Sequence, residues 1–184
     1  MKERKVILKN QIASFLKKQQ ILQGEEYKKL EKPYITKARK NFTVANLMNN
    51  ISDSDDFRKM LTLATDFEMY DWVIIVSYYA MYTSALSALA KLGFKSSSHA
   101  ATIAVLELNY VNENRNGKNL ETKDIHRLTK AYSLSEQLII KLMQIKTNRE
   151  TAQYDATPNI NKEMAKTALS DADEFITKIE EILT

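Results

Sequence analysis

Residues 66–93 read DFEMYDWVIIVSYYAMYTSALSALAKLG. From Trp72 to Ala90 this stretch carries no charge, no Pro and no Gly. Ile75, Val76, Tyr79, Tyr82, Leu86 and Leu89 recur at three- and four-residue steps, which places them along one side of a helix. Val73, Ile74, Met81, Ala85 and Ala88 make its other sides apolar too. A helix apolar all round is the centre of a bundle or a membrane span. Nineteen uncharged residues are long enough to cross a bilayer. Against crossing stand the hydroxyls of Ser77, Tyr78, Tyr79, Tyr82, Thr83, Ser84 and Ser87, and the lack of a second such segment. Ala80, Ser84, Ala85, Ser87 and Ala88 would let neighbouring helices approach closely. The sequence therefore predicts a central bundle helix and no membrane span.

Outward from this helix the chain keeps a helical rhythm. Its 184 residues hold three Gly and two Pro, too few for a turn-rich β fold. Lys5–Leu22 reads as an amphipathic basic helix ended by Gly24, and Tyr34–Ile51 as a second helix with Pro33 in its first turn. Asp53-Ser54-Asp55-Asp56 signals a cap before a short helix over 57–65, and Asp66 a cap for the central helix, which Gly93 stops. Beyond it, helices are predicted over 100–111, 124–130, 133–148 and 162–183, the first of them preceded by the polar loop Lys95-Ser96-Ser97-Ser98-His99 with a Ser cap. Asn112–Lys123 is the most loop-like stretch, and no segment alternates well enough for a strand. The expected fold is an all-α antiparallel bundle of four or five helices over residues 33–184, with residues 1–32 as a basic helical extension.

Composition narrows function by exclusion. With no Cys and only His99 and His126, there is no thiol nucleophile and no Cys- or His-based metal site to propose, and no cofactor is expected. Phosphate-binding glycine loops and nucleophile elbows are absent as motifs. The acidic run Asp171, Asp173, Glu174 reads as a solvated helix face. The start, MKERKVILKNQIASFLKKQQ, has no long apolar core and no small-residue cleavage site, so a cytoplasmic protein is expected. Residues 1–40 hold twelve Lys/Arg and four Asp/Glu, a net of +8, while residues 41–184 hold fifteen and nineteen, a net of −4. A basic arm on a mildly acidic body points to an anionic partner or to a solvated helix face.

Two local patterns carry a resemblance. The first is Asp71-Trp72, then Ser77-Tyr78-Tyr79-Ala80-Met81-Tyr82, Gly93 and Ser98-His99. The second is Arg149-Glu150-Thr151-Ala152-Gln153-Tyr154-Asp155, after one long helix and before the last. Together they resemble the HEPN domain, in particular small prokaryotic HEPN proteins encoded beside minimal nucleotidyltransferases. The resemblance runs from about Tyr34 to the C-terminus and implies a helical bundle, commonly a homodimer. It implies a toxin–antitoxin setting with a nucleotidyltransferase antitoxin as partner, RNA or nucleotide as ligand, and metal-independent RNA cleavage in active members. In the family an arginine holds the phosphate and a histidine four to six residues on moves protons. Arg149 matches the arginine. Tyr154 stands where the histidine would, and a phenol with a pKa near 10 is a poor general base at neutral pH. The implied catalytic pair is thus Arg149 and Tyr154, and the implied ligand-binding set is Arg149, Asp155, Tyr79 and His99. In related toxins a tyrosine near this motif accepts a nucleotidyl group, which makes Tyr154 a candidate acceptor. Packing explains the same residues otherwise: the tyrosines as core, His99 as a helix-start residue, Arg149 on its helix dipole or paired with Asp155. The rival reading is a non-catalytic interaction module that lends helices to a dimer or larger complex.

Overall fold

The structure is a computed structural model. It describes residues 2–111, 119–147 and 160–184, and side chains from 3 to 111, 119 to 140 and 160 to 184. Among these residues the chain forms α1 (Lys2–Lys17), β1 (Ile21–Gln23), a 3-10 helix (Glu25–Leu30), α2 (Glu31–Asp53), α3 (Asp55–Met60), α4 (Tyr70–Lys91), β2 (Phe94–Ser96), α5 (His99–Leu106), a π-helical turn (Glu107–Val111), α6 (Thr122–Thr147) and α7 (Lys162–Leu183). The architecture is all-α, as the sequence predicts.

α4 is the axis of the bundle, and α2, α6, α7 and α5 pack around it. Val73, Ala80, Met81, Ala85, Ala88, Leu89 and Ala90 are fully buried. By length and composition α4 is the one described helix that could cross a membrane, yet 78% of its apolar window is buried inside the bundle. Three of its hydroxyls, those of Thr83, Ser84 and Ser87, donate to backbone carbonyls. Thr83 Oγ1 donates to the carbonyl of Tyr79 at 2.6 Å, and Ser84 Oγ to that of Met81 at 2.7 Å. Ser87 Oγ reaches out of the helix to the carbonyl of Glu31 at 2.6 Å, tying α4 to the start of α2.

The helix directions follow from such cross-links. Ser87 meets Glu31, and Tyr70 donates its hydroxyl to Asp53 Oδ1 at 2.9 Å, so α2 runs opposite to α4. Lys91 Nζ donates to the last carbonyls of α7, Ile182 and Leu183, each at 2.7 Å, and Tyr70 and Val73 share a cluster with Ala165 and Leu169, so α7 runs with α4. Leu138 of α6 packs on Ile74 and Ile75 while Tyr132 packs on Tyr78, so α6 is antiparallel to α4.

Several local readings change. The central stripe is not uniformly buried: Trp72 and Tyr79 are each 44% exposed, and Val76, Tyr82 and Leu86 are half-buried. α4 begins at Tyr70, and Asp66 does not cap it, because residues 61–69 form turns in which Thr62 has a φ of 58°. The helices predicted over 124–130 and 133–148 are one element, α6; no Gly or Pro interrupts them, and Tyr132 donates to Glu136 Oε1 at 2.6 Å across one turn. A short antiparallel pair also forms, with Ile21 opposite Ser96 and Gln23 opposite Phe94. Three residues per strand are too few to show alternation in sequence. Gly93 makes the turn into β2 with a φ of 79°, its carbonyl accepting from Gly24 N at 2.9 Å; a Cβ there would sit 3.0 Å from the Gly24 carbonyl oxygen. α1 ends at Lys17, before Gly24, with Gln19 at a φ of 55°.

Candidate functional site

Arg149, Tyr154 and Asp155 lie outside the described residues. The elements on either side of them are described: α6 to Thr147 and the chain again from Ile160. Leu138 of α6 and Ile160 belong to one apolar cluster with Ile74 and Ile75, which fixes both elements on α4 at the end of the bundle where α4 starts.

The other two sequence-predicted ligand residues, Tyr79 and His99, both border Tyr78. The Tyr79 ring lies 5.2 Å from the Tyr78 ring, centroid to centroid, and its own side chain faces solvent. His99 opens α5, one residue after Ser98, whose Oγ accepts from Ala101 N and caps the helix. The imidazole stacks on Tyr132 at 3.9 Å with the planes 14° apart, and it lies 5.8 Å from Tyr82 and 6.0 Å from Tyr78. Both ring nitrogens are buried with no hydrogen-bond partner among the described residues. Burial pushes the His99 pKa down to about 4, against a weaker opposite pull from the Glu136 carboxylate. His99 is therefore neutral at physiological pH and enclosed, which suits packing rather than proton transfer. Burial likewise drives the Tyr78 hydroxyl far above its usual range, so it stays protonated.

A groove that the sequence reading missed lies between α4, α6 and α7. Its volume is about 290 Å³. α4 supplies Ile74, Ser77, Tyr78 and Met81, and α6 supplies Arg127, Lys130, Ala131 and Leu134. α7 and its cap add Asn161, Met164, Thr167, Ala168 and Asp171. The α6 residues stand at i, i+3, i+4 and i+7, a face legible in the sequence but split there by the helix break placed near residue 131.

Ion pairs close one end of this groove. Arg127 Nε lies 3.1 Å from Asp171 Oδ1, and Arg127 Nη1 lies 2.7 Å from Glu174 Oε1. Lys178 pairs with the fully buried Asp124 at 2.8 Å. Asp173 bonds Arg39 of α2 at 2.9 Å. The acidic run of α7 thus ties helices together rather than facing solvent alone. Burial raises the Asp171 carboxyl above its usual range, although Arg127 opposes this. Among the described residues no cluster of His, Asp or Glu is arranged to hold a metal ion.

The class defined here is an all-α bundle wound round one buried helix. Comparison with protein-family models matches residues 48–182 to the HEPN domain, and the chain belongs to that family. The match opens inside α2, closes at the end of α7 and spans the positions of Arg149 and Tyr154. A search of curated proteins gave no match.

Proposed function

We propose that this HEPN-family protein binds RNA or a nucleotide around Arg149, as the toxin-type partner of a minimal nucleotidyltransferase antitoxin, in a homodimer. The observation that carries the reading is the position of Arg149 in the sequence. It falls inside the family match, between two helices that are both anchored on the central helix. A guanidinium offers a planar fork suited to phosphate. Tyr154 at the histidine position favours binding over fast cleavage, since a phenol is a weak base at neutral pH. The test incubates pure protein with total RNA, with and without Arg149→Ala, and follows both retention and cleavage of RNA. The substitution is expected to reduce binding roughly tenfold or more, as for a lost charge-assisted bond. Equal RNA retention by both proteins would remove Arg149 from the site.

The second reading, a non-catalytic interaction module, draws on a different observation. Trp72 and Tyr79 lie on one face of α4, each 44% exposed, and the neighbouring α2 exposes Val44 at 43% and Leu47 at 53%. Apolar exposure of this kind suits an interface with a second copy. Tyr79→Asp is expected to shift the protein to monomer in light scattering with its thermal melt unchanged. A dimer that survives the substitution would place the interface elsewhere.

A further inference from the structure

Two exposed apolar patches of opposite charge lie towards opposite ends of α4, and the Arg149 reading uses neither. We propose that the chain associates head to tail, the start of α1 in one copy docking on the acidic segment 53–71 of the next.

The patches hold the two most exposed large apolar side chains among the described residues, Met60 at 68% and Val6 at 58%. In and just after α3, Phe57, Met60 and Leu61 stand at i, i+3 and i+4, so they share one face, and all three are exposed. Arg58 between them is buried, and its guanidinium donates to the carbonyls of Ile51 and Ser52 at the end of α2. In α1, Val6 and Ile7 are exposed side by side while Leu8 turns into the core. Apolar side chains grouped at the surface in this way suit a contact.

Charge indicates what covers them. Residues 53–71 carry Asp53, Asp55, Asp56, Asp66, Glu68 and Asp71 against Arg58 and Lys59, a net of −4. The rest of residues 41–184 holds thirteen Lys/Arg and thirteen Asp/Glu, so the whole acidic excess of the body lies in this one segment. Lys162, 3.1 Å from Asp53, and Lys166 both act on Asp53, and counting the two still leaves −2. Around Val6, residues 2–9 hold Lys2, Arg4, Lys5 and Lys9 against Glu3, a net of +3. Counting Glu107, which bonds Arg4, leaves +2. The two apolar faces therefore carry complementary charge.

One chain cannot bring them together. Tyr70 bonds Asp53, and Met69 N donates to Ser52 Oγ at 2.9 Å, which holds the acidic segment at the start of α4. Arg4 bonds Glu107 in the π-helical turn, and Tyr110 of that turn donates to the Ala88 carbonyl at 2.8 Å, which holds the start of α1 near the end of α4. Between Tyr70 and Ala88 a helix rises about 27 Å. The basic face that meets the acidic one is thus that of a second copy. Each contact leaves one face of either kind free, so the association is heterologous and builds rings or open chains. Patches this small make a weak contact.

The test is sedimentation velocity of the full chain over a range of concentrations, at about 30 mM and about 500 mM salt. At low salt the mean mass should rise with concentration past that of two copies, and at high salt the association should weaken roughly tenfold. Val6→Gln and Met60→Gln should each weaken it roughly tenfold with an unchanged thermal melt. Mixed together, the two variants regain one intact pair of faces, so a larger species absent from either alone should form. Ile7→Gln and Leu61→Gln repeat the mixing if a first variant melts early. A symmetric dimer through Trp72 and Tyr79 stops at two copies and gains nothing on mixing. Arg149→Ala should leave the association unchanged, so this result and the RNA result stand or fall separately. A mass that never passes two copies would overturn the proposal. So would variants that associate as the natural protein does, or a mixture that forms no new species.

Discussion

His99 shows how much a single residue's role depends on its surroundings. In sequence it follows a capping serine and could be a helix-start residue or a ligand contact. The structure gives the cap to Ser98 and encloses the imidazole among Tyr78, Tyr82 and Tyr132. No pattern in the chain shows that residue 132 will meet residue 99, because their contact is made by the packing of α5 and α6. A pH effect follows. The folded-state pKa of His99 is about 4, below the ordinary 6.5 of an exposed imidazole. As pH falls through about 6.5 the unfolded chain takes up a proton first, and stability declines until the folded form also protonates near 4. The contribution is fully present above about pH 6.5 and amounts to at most about 3 kcal/mol. Glu136 is the charged group that opposes the shift, and the Tyr78 hydroxyl, raised by burial, and the Tyr132 hydroxyl, raised by its hydrogen bond to Glu136, stay protonated through this window. His99→Phe keeps the stacking and removes the proton. Urea midpoints measured between about pH 7 and 4.5 should fall less for the variant than for the natural protein. Parallel declines would show that another group takes the proton.

At the scale of elements, the strongest signals in the sequence are also the ones the structure keeps. α7 spans Lys162–Leu183, the range its periodicity predicts, and Ser54 and Ser98 serve as caps. Those signals are local, set by spacing and by side chains that bond their own backbone. The β1–β2 pair and the continuity of α6 are not local. The strands find each other across seventy-odd residues, and α6 runs on through Tyr132, whose ring packs on His99. The groove was missed for the same reason, since Arg127 and Asp171 are distant in sequence and meet only when α6 and α7 lie on α4. Asp124 is the element-scale test. It is fully buried near the start of α6, where its Oδ2 accepts from Glu121 N at 2.8 Å and its carboxylate bonds Lys178 of α7 at 2.8 and 3.0 Å. One side chain therefore starts one helix and fastens it to another. Asp124→Ala should destabilise the protein by about 3 kcal/mol, because it strands a largely buried ammonium and a helix N-terminus. Asp124→Asn keeps the acceptor for Glu121 N and should recover part of the loss. Chemical denaturation with unchanged slope would read both values, and a loss under about 1 kcal/mol for the alanine variant would place the stability elsewhere.

Across the whole molecule the charge is unevenly spread, and the fold decides how that asymmetry is best tested. The first forty residues carry +8 and the rest −4. Read from sequence alone, removing residues 1–32 is a clean way to delete the basic arm. The structure shows otherwise: Leu8, Ile12 and Ile21 share one apolar cluster with Leu89, Phe175 and Ile179 of α4 and α7. Arg4 is also bonded to Glu107 in the π-helical turn. Truncation would open the core and confuse a folding defect with a binding defect. The charge can be removed without the packing. Lys9, Lys17 and Lys18 are exposed and form no ion pair with a described residue. Replacing all three with Gln changes the arm from basic toward neutral while leaving Leu8 and Ile12 in place. If the arm holds a nucleic-acid backbone, each lost contact releases fewer counterions, and the salt dependence of binding flattens by about 0.7 per charge on single-stranded RNA, or roughly 2 for three. RNA association measured over a range of salt, beside a thermal melt, separates the outcomes. A flatter slope with an unchanged melt assigns the arm to the RNA. An unchanged slope assigns the lysines to solvation and leaves Arg149 to account for binding without them.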